Sequence, residues 1–215
     1  MAVYLFDLFY TLVTFENRDW EHECAYAGIS LAQWERCVTD SGVFLGRVTA
    51  PMDIIRENVR CAGKTVSEEI IEKMCRQRVA RVREIVTKVR PEILEVLRTL
   101  KERGHRLCLI SNADGIDVMH WADSPLAPLF DEAIFSCQVH MIKPGPEIYL
   151  LAAQKMAAAP EDCIFIGDGG SDELIGAKRV GMRTIQARHF AQRDVEGADV
   201  QVERFEDILA VHFIT

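Results

Sequence analysis

Asp7, Ser111 and Asp168 are the residues around which chemistry could be built, because each closes an apolar, strand-like run. The runs are Val3–Phe6, Leu107–Ile110 and Cys163–Ile166. In an open parallel sheet, ligands lie beyond the carboxyl ends of the strands, so polar residues delivered there converge on one crevice. A single aspartate at a strand end also serves as a cap or turn residue, and Ser111-Asn112 is ordinary turn chemistry. The repetition is what points to a site. Asp168 and Asp172 share the glycine-rich stretch Gly167-Asp168-Gly169-Gly170-Ser171-Asp172-Glu173. Two carboxylates on such a loop are hard oxygen donors of the kind magnesium takes. The stretch is not a dinucleotide fingerprint, since Gly-x-Gly-x-x-Gly is absent.

The elements that must position these residues alternate in type. Helices are expected over Pro91–Arg103, Pro146–Met156 and Ser171–Val180, the first stopped by Gly104 and the last by Gly181. Between and after them come strands at Leu107–Ile110, Ala133–Phe135, Cys163–Ile166, Thr184–Ala187 and Val200–Val202, then a short C-terminal helix. This alternation implies crossovers, a parallel sheet and helices on both faces, an α/β fold. Residues 15–90 read differently. Leu31, Trp34 and Val38 recur at helical spacing, and Ile71, Cys75, Val79, Val82, Val86 and Val89 form one face of a long helix. Thr65 and Glu68 form a capping-box pattern before it, and Arg90-Pro91 should end it. The expected organisation is a core of residues 1–14 and 91–215 interrupted by an all-helical insertion, 15–90, with linkers near Phe15–Asn17 and Arg90-Pro91.

Four segments carry a resemblance to the haloacid dehalogenase superfamily. Asp7-Leu8-Phe9-Tyr10-Thr11 is similar to its first motif, Asp-x-Asp-Gly-Thr, with Asp7 and Thr11 matching. Leu109-Ile110-Ser111-Asn112 is similar to the second, Lys143-Pro144-Gly145-Pro146-Glu147-Ile148-Tyr149 to the third, and Gly167-Asp168 to Asp172 to the fourth. The resemblance implies a Rossmann-like core, with residues 15–90 as a small helical cap. It makes Asp7 the nucleophile, Lys143 a preorganised cation beside it, and Ser111 a holder of a phosphoryl oxygen, with Thr11 and Asn112 also toward the substrate. It places Mg2+ on Asp7, the Phe9 carbonyl, Asp168 and Asp172. The implied activity is a magnesium-dependent phosphatase acting on a small phosphorylated metabolite through an aspartyl-phosphate.

Two departures leave alternatives open. Phe9 stands where the superfamily's phosphatases carry a second aspartate, the general acid/base, and Tyr10 replaces the glycine. General acid/base catalysis is typically worth about 10²–10⁴-fold. Either the leaving group needs little protonation, or an acid such as Glu16 supplies the proton. A 2-haloacid dehalogenase working through an aspartyl ester is the second alternative, since a departing halide needs no proton. It would draw a halide-binding arginine from Arg18, Arg36, Arg47 or Arg56. A non-catalytic binder is the third.

Composition narrows the partners. The net charge of −8 argues against nucleic acid and anionic membranes. No apolar run approaches the roughly 20 residues of a membrane span, and no secretory leader is read at the N-terminus, so a cytoplasmic protein is expected. The seven cysteines include no Cys-x-x-Cys, which disfavours zinc or a disulfide framework. The six histidines show no metal-ligand spacing. Trp121 is expected as a packing anchor, Asp114 and Asp117 as loop caps, and Arg76, Arg78, Arg81 and Arg83 as a solvated helix face.

Overall fold

Apolar strands separated by helices bury both faces of one sheet. The computed structural model describes residues 2–15 and 20–213. After β1 (Val3–Phe6) come α1 (Leu31–Asp40), α2 (Pro51–Cys61) and α3 (Glu68–Thr87) with short 3-10 turns. Then follow α4 (Pro91–Glu102), β2 (Arg106–Ser111), α5 (Gly115–Val118), β3 (Glu132–Phe135), α6 (Ser136–Val139) and α7 (Pro146–Lys155). The chain continues through β4 (Cys163–Gly167), α8 (Glu173–Arg179), β5 (Arg183–Ala187) and β6 (Val200–Val202). The strands form one sheet in the order β3-β2-β1-β4-β5-β6, and every neighbouring pair is parallel. This is the parallel α/β sheet the alternation implied, and the Rossmann-like core the resemblance implied. No described helix is long and apolar enough to cross a membrane.

Side-chain alternation along β1 divides the interior. Tyr4 and Phe6 pack with Leu107, Leu109, Ile164 and Ile166 against α4. Val3 and Leu5 pack with Cys108, Ile110 and Phe165 against α7 and α8. A sheet covered on both faces explains why the strands read as continuous apolar runs. The first cluster continues into the helical segment through Trp34, Ile54, Met74 and Val82. Each such side chain, fully buried, contributes roughly 1.5–3 kcal/mol.

Local signals set most boundaries. Pro91 opens α4 with Arg90 extended before it, as the missing N–H and the pre-proline restriction require. The expected cap of α3 is corrected by two residues. Ser67, not Thr65, is the N-cap, accepting from the Ile70 N–H at 3.4 Å. Glu68 is instead engaged by Arg56 at 2.6 Å. The 3-10 turn Gly170–Asp172 replaces the expected first turn of the helix ending near Val180. All seven cysteines are free, and Trp121 packs on Phe130 and Phe135.

The expected solvated arginine face is also corrected. Arg78 and Arg81 are buried. Arg78 Nη2 lies 2.6 Å from Asp114 Oδ2 and 3.2 Å from Asp117 Oδ1, and Arg81 Nη2 donates to both Glu23 oxygens at 2.7 Å. Asp114 and Asp117 do cap α5, in a reciprocal capping box. Their remaining oxygens reach across to α3. The ion cluster thus joins the helical segment to the loop after β2. Removing one partner of a buried pair leaves uncompensated charge, which costs roughly 3–5 kcal/mol. Arg78→Met should therefore lower the unfolding free energy by about that much in urea titration. A loss below about 1 kcal/mol, the scale of an exposed pair, would show that the cluster is not a structural tie.

Candidate active site

The register of three strands gathers the site. Phe6 lies beside Leu109 and Ile166, so Asp7, Ser111 and Asp168 emerge at the same edge of the sheet. The Asp7 N–H donates to the Ile166 carbonyl at 2.9 Å, which fixes the end of β1 against β4. Lys143 arrives on the loop before α7. Asn112 clamps that loop, its Oδ1 accepting from Lys143 N–H at 2.8 Å and its Nδ2 donating to the Lys143 carbonyl at 3.0 Å.

Lys143 Nζ donates to Asp7 Oδ1 and to Glu173 Oε2, both at 2.6 Å, with all three side chains buried. Thr11 Oγ1 donates to the other Asp7 oxygen at 3.1 Å. Burial pushes the Asp7 carboxyl up, against the pull of the Lys143 ammonium. Burial alone would lower the Lys143 pKa, but Asp7 and Glu173 outweigh it and hold it above the usual lysine value. Burial, and then the Asp7 charge, push Glu173 up to about 8. Glu173 Oε1 also accepts from the Gly169 N–H at 3.1 Å. A side chain at Gly167 would collide with this carboxylate, so glycine there makes room for it.

The acid that reaches the cluster is Glu173 rather than Asp172. Ser171 and Asp172 both adopt left-handed backbone, with φ of 54° and 52°. This turn leaves Asp172 exposed and brings the next residue inward. Asp7, Asp168 and Glu173 each offer a carboxylate oxygen, all within 4.8 Å of one another. That donor set suits a hard divalent cation. A residue absent from the sequence reading joins them: Arg193, on the loop after β5, donates to Asp168 Oδ2 at 2.5 Å.

Thr11 and Asn112 therefore sit beside Asp7 and Lys143. Ser111 ends β2 with its hydroxyl buried and without a hydrogen-bond partner among the described residues. Phe9 is stacked on Phe15, ring centroids 5.4 Å apart and planes 14° apart. Tyr10 adopts left-handed backbone, at φ 62°, a conformation that glycine takes freely and that costs another residue roughly 1–2 kcal/mol. Its ring lies 6.2 Å from Phe15 and 5.9 Å from the Arg193 guanidinium. Glu16 and Arg18 lie outside the described residues. Arg36, Arg47 and Arg56 are exposed and do not line the cavity, so none is placed as the halide-binding arginine.

A cavity of about 600 Å³ opens from Asp7, Asn112, Lys143, Asp168 and Glu173. Its lining mixes apolar residues, Phe9, Phe15, Trp20, Trp34, Val38 and Phe44, with polar ones, His22, Glu23, Arg78, Arg81 and Asp117. The Arg81 guanidinium lies 4.5 Å over the Phe15 ring, and His22 meets Trp34 edge-on. Burial lowers the His22 pKa, and burial with the neighbouring Asp114 charge pushes Asp117 up to about 6.

Comparison with known proteins agrees with this geometry. The haloacid dehalogenase-like hydrolase family profile matches residues 1–181. A glyceraldehyde 3-phosphate phosphatase of Methanopyrus kandleri is 27% identical over 130 residues, 56% of this chain and 55% of that protein. The match thus spans only about half of that relative's length. A 2-haloacid dehalogenase from Pseudomonas syringae has a similar fold, with TM-score 0.68, 19% identity and coverage of 98% of this chain and 97% of the other. So does a family enzyme of Bacteroides thetaiotaomicron solved with magnesium and inorganic phosphate, with TM-score 0.62, 20% identity and coverage of 91% and 98%. The buried Asp7–Lys143–Glu173 constellation sits on a sheet and a sequence pattern that agree with one another: the chain belongs to the haloacid dehalogenase-like hydrolases.

Proposed function

We propose that the protein is a magnesium-dependent phosphatase of small phosphorylated molecules, with Asp7 as nucleophile. The observation that carries this reading is the pairing of Asp7 with Lys143 beside two further carboxylates, Asp168 and Glu173. Lys143 and Thr11 fix both oxygens of the Asp7 carboxylate, which orients it for attack. Asp7 attacks phosphorus, the bond to the leaving oxygen breaks, and that oxygen departs with the electron pair. Water then attacks the aspartyl-phosphate and returns Asp7 and inorganic phosphate. Lys143 offsets negative charge as it develops, and the orphaned Ser111 hydroxyl is free to donate to a phosphoryl oxygen. Asp7, Asp168 and Glu173, with the Phe9 carbonyl, would hold the magnesium ion, and the ion supplies positive charge against the phosphoryl oxygens. Phe9 can neither protonate the leaving oxygen nor activate water.

Displacement of halide from a 2-haloacid is the second reading. Phe9 supports it, because halide leaves without a proton. The three clustered carboxylates weigh for phosphoryl transfer, since a carbon-centred displacement has no use for a divalent cation.

Asp7→Asn should abolish nearly all hydrolysis of acetyl phosphate while leaving the protein folded, as read by a single cooperative thermal melt. Retention of more than about a tenth of the activity would remove Asp7 from the nucleophile's role. Metal affinity separates the two acids of the glycine-rich loop. Glu173→Gln should weaken Mn2+ binding, followed by calorimetry, by at least the roughly tenfold that even an outer-shell loss costs. Asp172→Asn should leave it nearly unchanged, and the reverse ranking would restore Asp172 as the ligand. Finally, turnover of phosphate esters should rise steeply as the leaving-group pKa falls. Phe9→Asp should raise alkyl phosphate hydrolysis by about 10²-fold, the lower end of acid catalysis. A flat leaving-group dependence with chemistry rate-limiting would mean that another residue supplies the proton.

A further inference from the structure

We propose that the group released from phosphorus is an aryloxide: the substrate is a phosphomonoester of an aromatic alcohol. The proposal rests on the phosphatase reading above and names the substrate class of that same site.

Two independent features lead to it. The first is chemical. Phe9 cannot protonate the leaving oxygen, so a departing group that carries its own negative charge is the one that loses least by the exchange of aspartate for phenylalanine. An aryloxide carries that charge by delocalising it into the ring, whereas a sugar or glycerol alkoxide does not. The second is the shape and chemistry of the cavity. Asp7 and Lys143 line a space of about 600 Å³, within the range of sites for small organic ligands. A phosphoryl group on Asp7 fills only part of it, and the leaving group takes the rest. Aromatic side chains line that space: Phe9, Tyr10, Phe15, Trp20, Trp34 and Phe44. Phe9 and Phe15, shortly after the nucleophile in the chain, are stacked nearly parallel, and the Arg81 guanidinium lies 4.5 Å over the Phe15 ring. Aromatic pairs attract beyond their burial, by offset stacking or edge-to-face contact. Acyl phosphates share the good leaving group but offer no ring to these side chains.

The atoms balance without any further reagent. Asp7 displaces ArO⁻ from ArOPO₃²⁻, and the P–O bond to the ring carbon's oxygen breaks. ArO⁻ takes a proton from water. Water then cleaves the aspartyl-phosphate, so the sum is one ester and one water giving one phenol and one phosphate.

The test compares esters matched in leaving-group acidity and different in ring content: phenyl phosphate against hexafluoroisopropyl phosphate, with acetyl phosphate as a common reference and Mg2+ present. The phenyl ester should have kcat/KM higher by on the order of tenfold, the worth of a strong ring contact, and 1-naphthyl phosphate should be higher still. Phe44→Ser should reduce the phenyl-to-hexafluoroisopropyl ratio. Binding gives a readout free of turnover: phenylphosphonate should compete more tightly than tert-butylphosphonate in calorimetry. Equal kcat/KM for the matched pair, with acetyl phosphate hydrolysed, would overturn the aryl assignment and leave the phosphatase reading in place. Failure to hydrolyse any of the four compounds would overturn both.

Discussion

The Lys143 ammonium is the charge on which the site depends. It lies between Asp7 and Glu173 at 2.6 Å from each, in a place almost without solvent. Three carboxylates within 4.8 Å of one another would repel strongly in a medium of low dielectric. Lys143 offsets part of that repulsion, and Arg193 on Asp168 offsets more. Much of the local architecture serves this arrangement. Asn112 clamps the backbone at Lys143, Gly167 clears space for Glu173, and the Tyr149 hydroxyl holds the Glu173 carbonyl at 2.8 Å. Gly176 has the same character, because a side chain there would press on the Pro144 carbonyl and the Tyr149 hydroxyl. The loop that carries the lysine and the helix that carries the glutamate are thereby locked together.

The sheet was legible because buried parallel strands must be apolar on both faces. Val3–Phe6, Leu107–Ile110 and Cys163–Ile166 could therefore be read as strands, and their ends as the place where polar residues gather. Asp7, Thr11, Asn112 and Lys143 lie together in the structure, near the polar ends of those runs. Glu173 was hidden by its neighbour. A spacing of acids along a loop says nothing of backbone handedness, and two successive left-handed residues move the inward direction from Asp172 to the next position. Arg193 was hidden for another reason. It comes from an irregular loop, where neither periodicity nor a turn signal tells which way a side chain points.

Arg78 and Arg81 show the same limit from the other side. On a helix rich in arginine and glutamate, charged residues default to a solvated face. Yet the buried residues of α3 are Ile71, Met74, Cys75, Arg78, Arg81, Val82, Ile85 and Val86, so helical spacing puts these two arginines on the apolar stripe and leaves only their counter-charges unspecified. Their partners, Glu23, Asp114 and Asp117, are supplied by remote parts of the chain. Burial of a charge is decided by what meets it, and that information is tertiary.

The placement of these ions sets how the molecule responds to its solvent. Pairs such as Arg56–Glu68 and Arg204–Asp207 are open to water, and added salt shortens the reach of their attraction to a few ångströms. The charges that bind α3 to the loop after β2 are buried, where screening by salt is much weaker. Ionic strength therefore acts on the outer decoration of the protein far more than on the seam between helices and sheet.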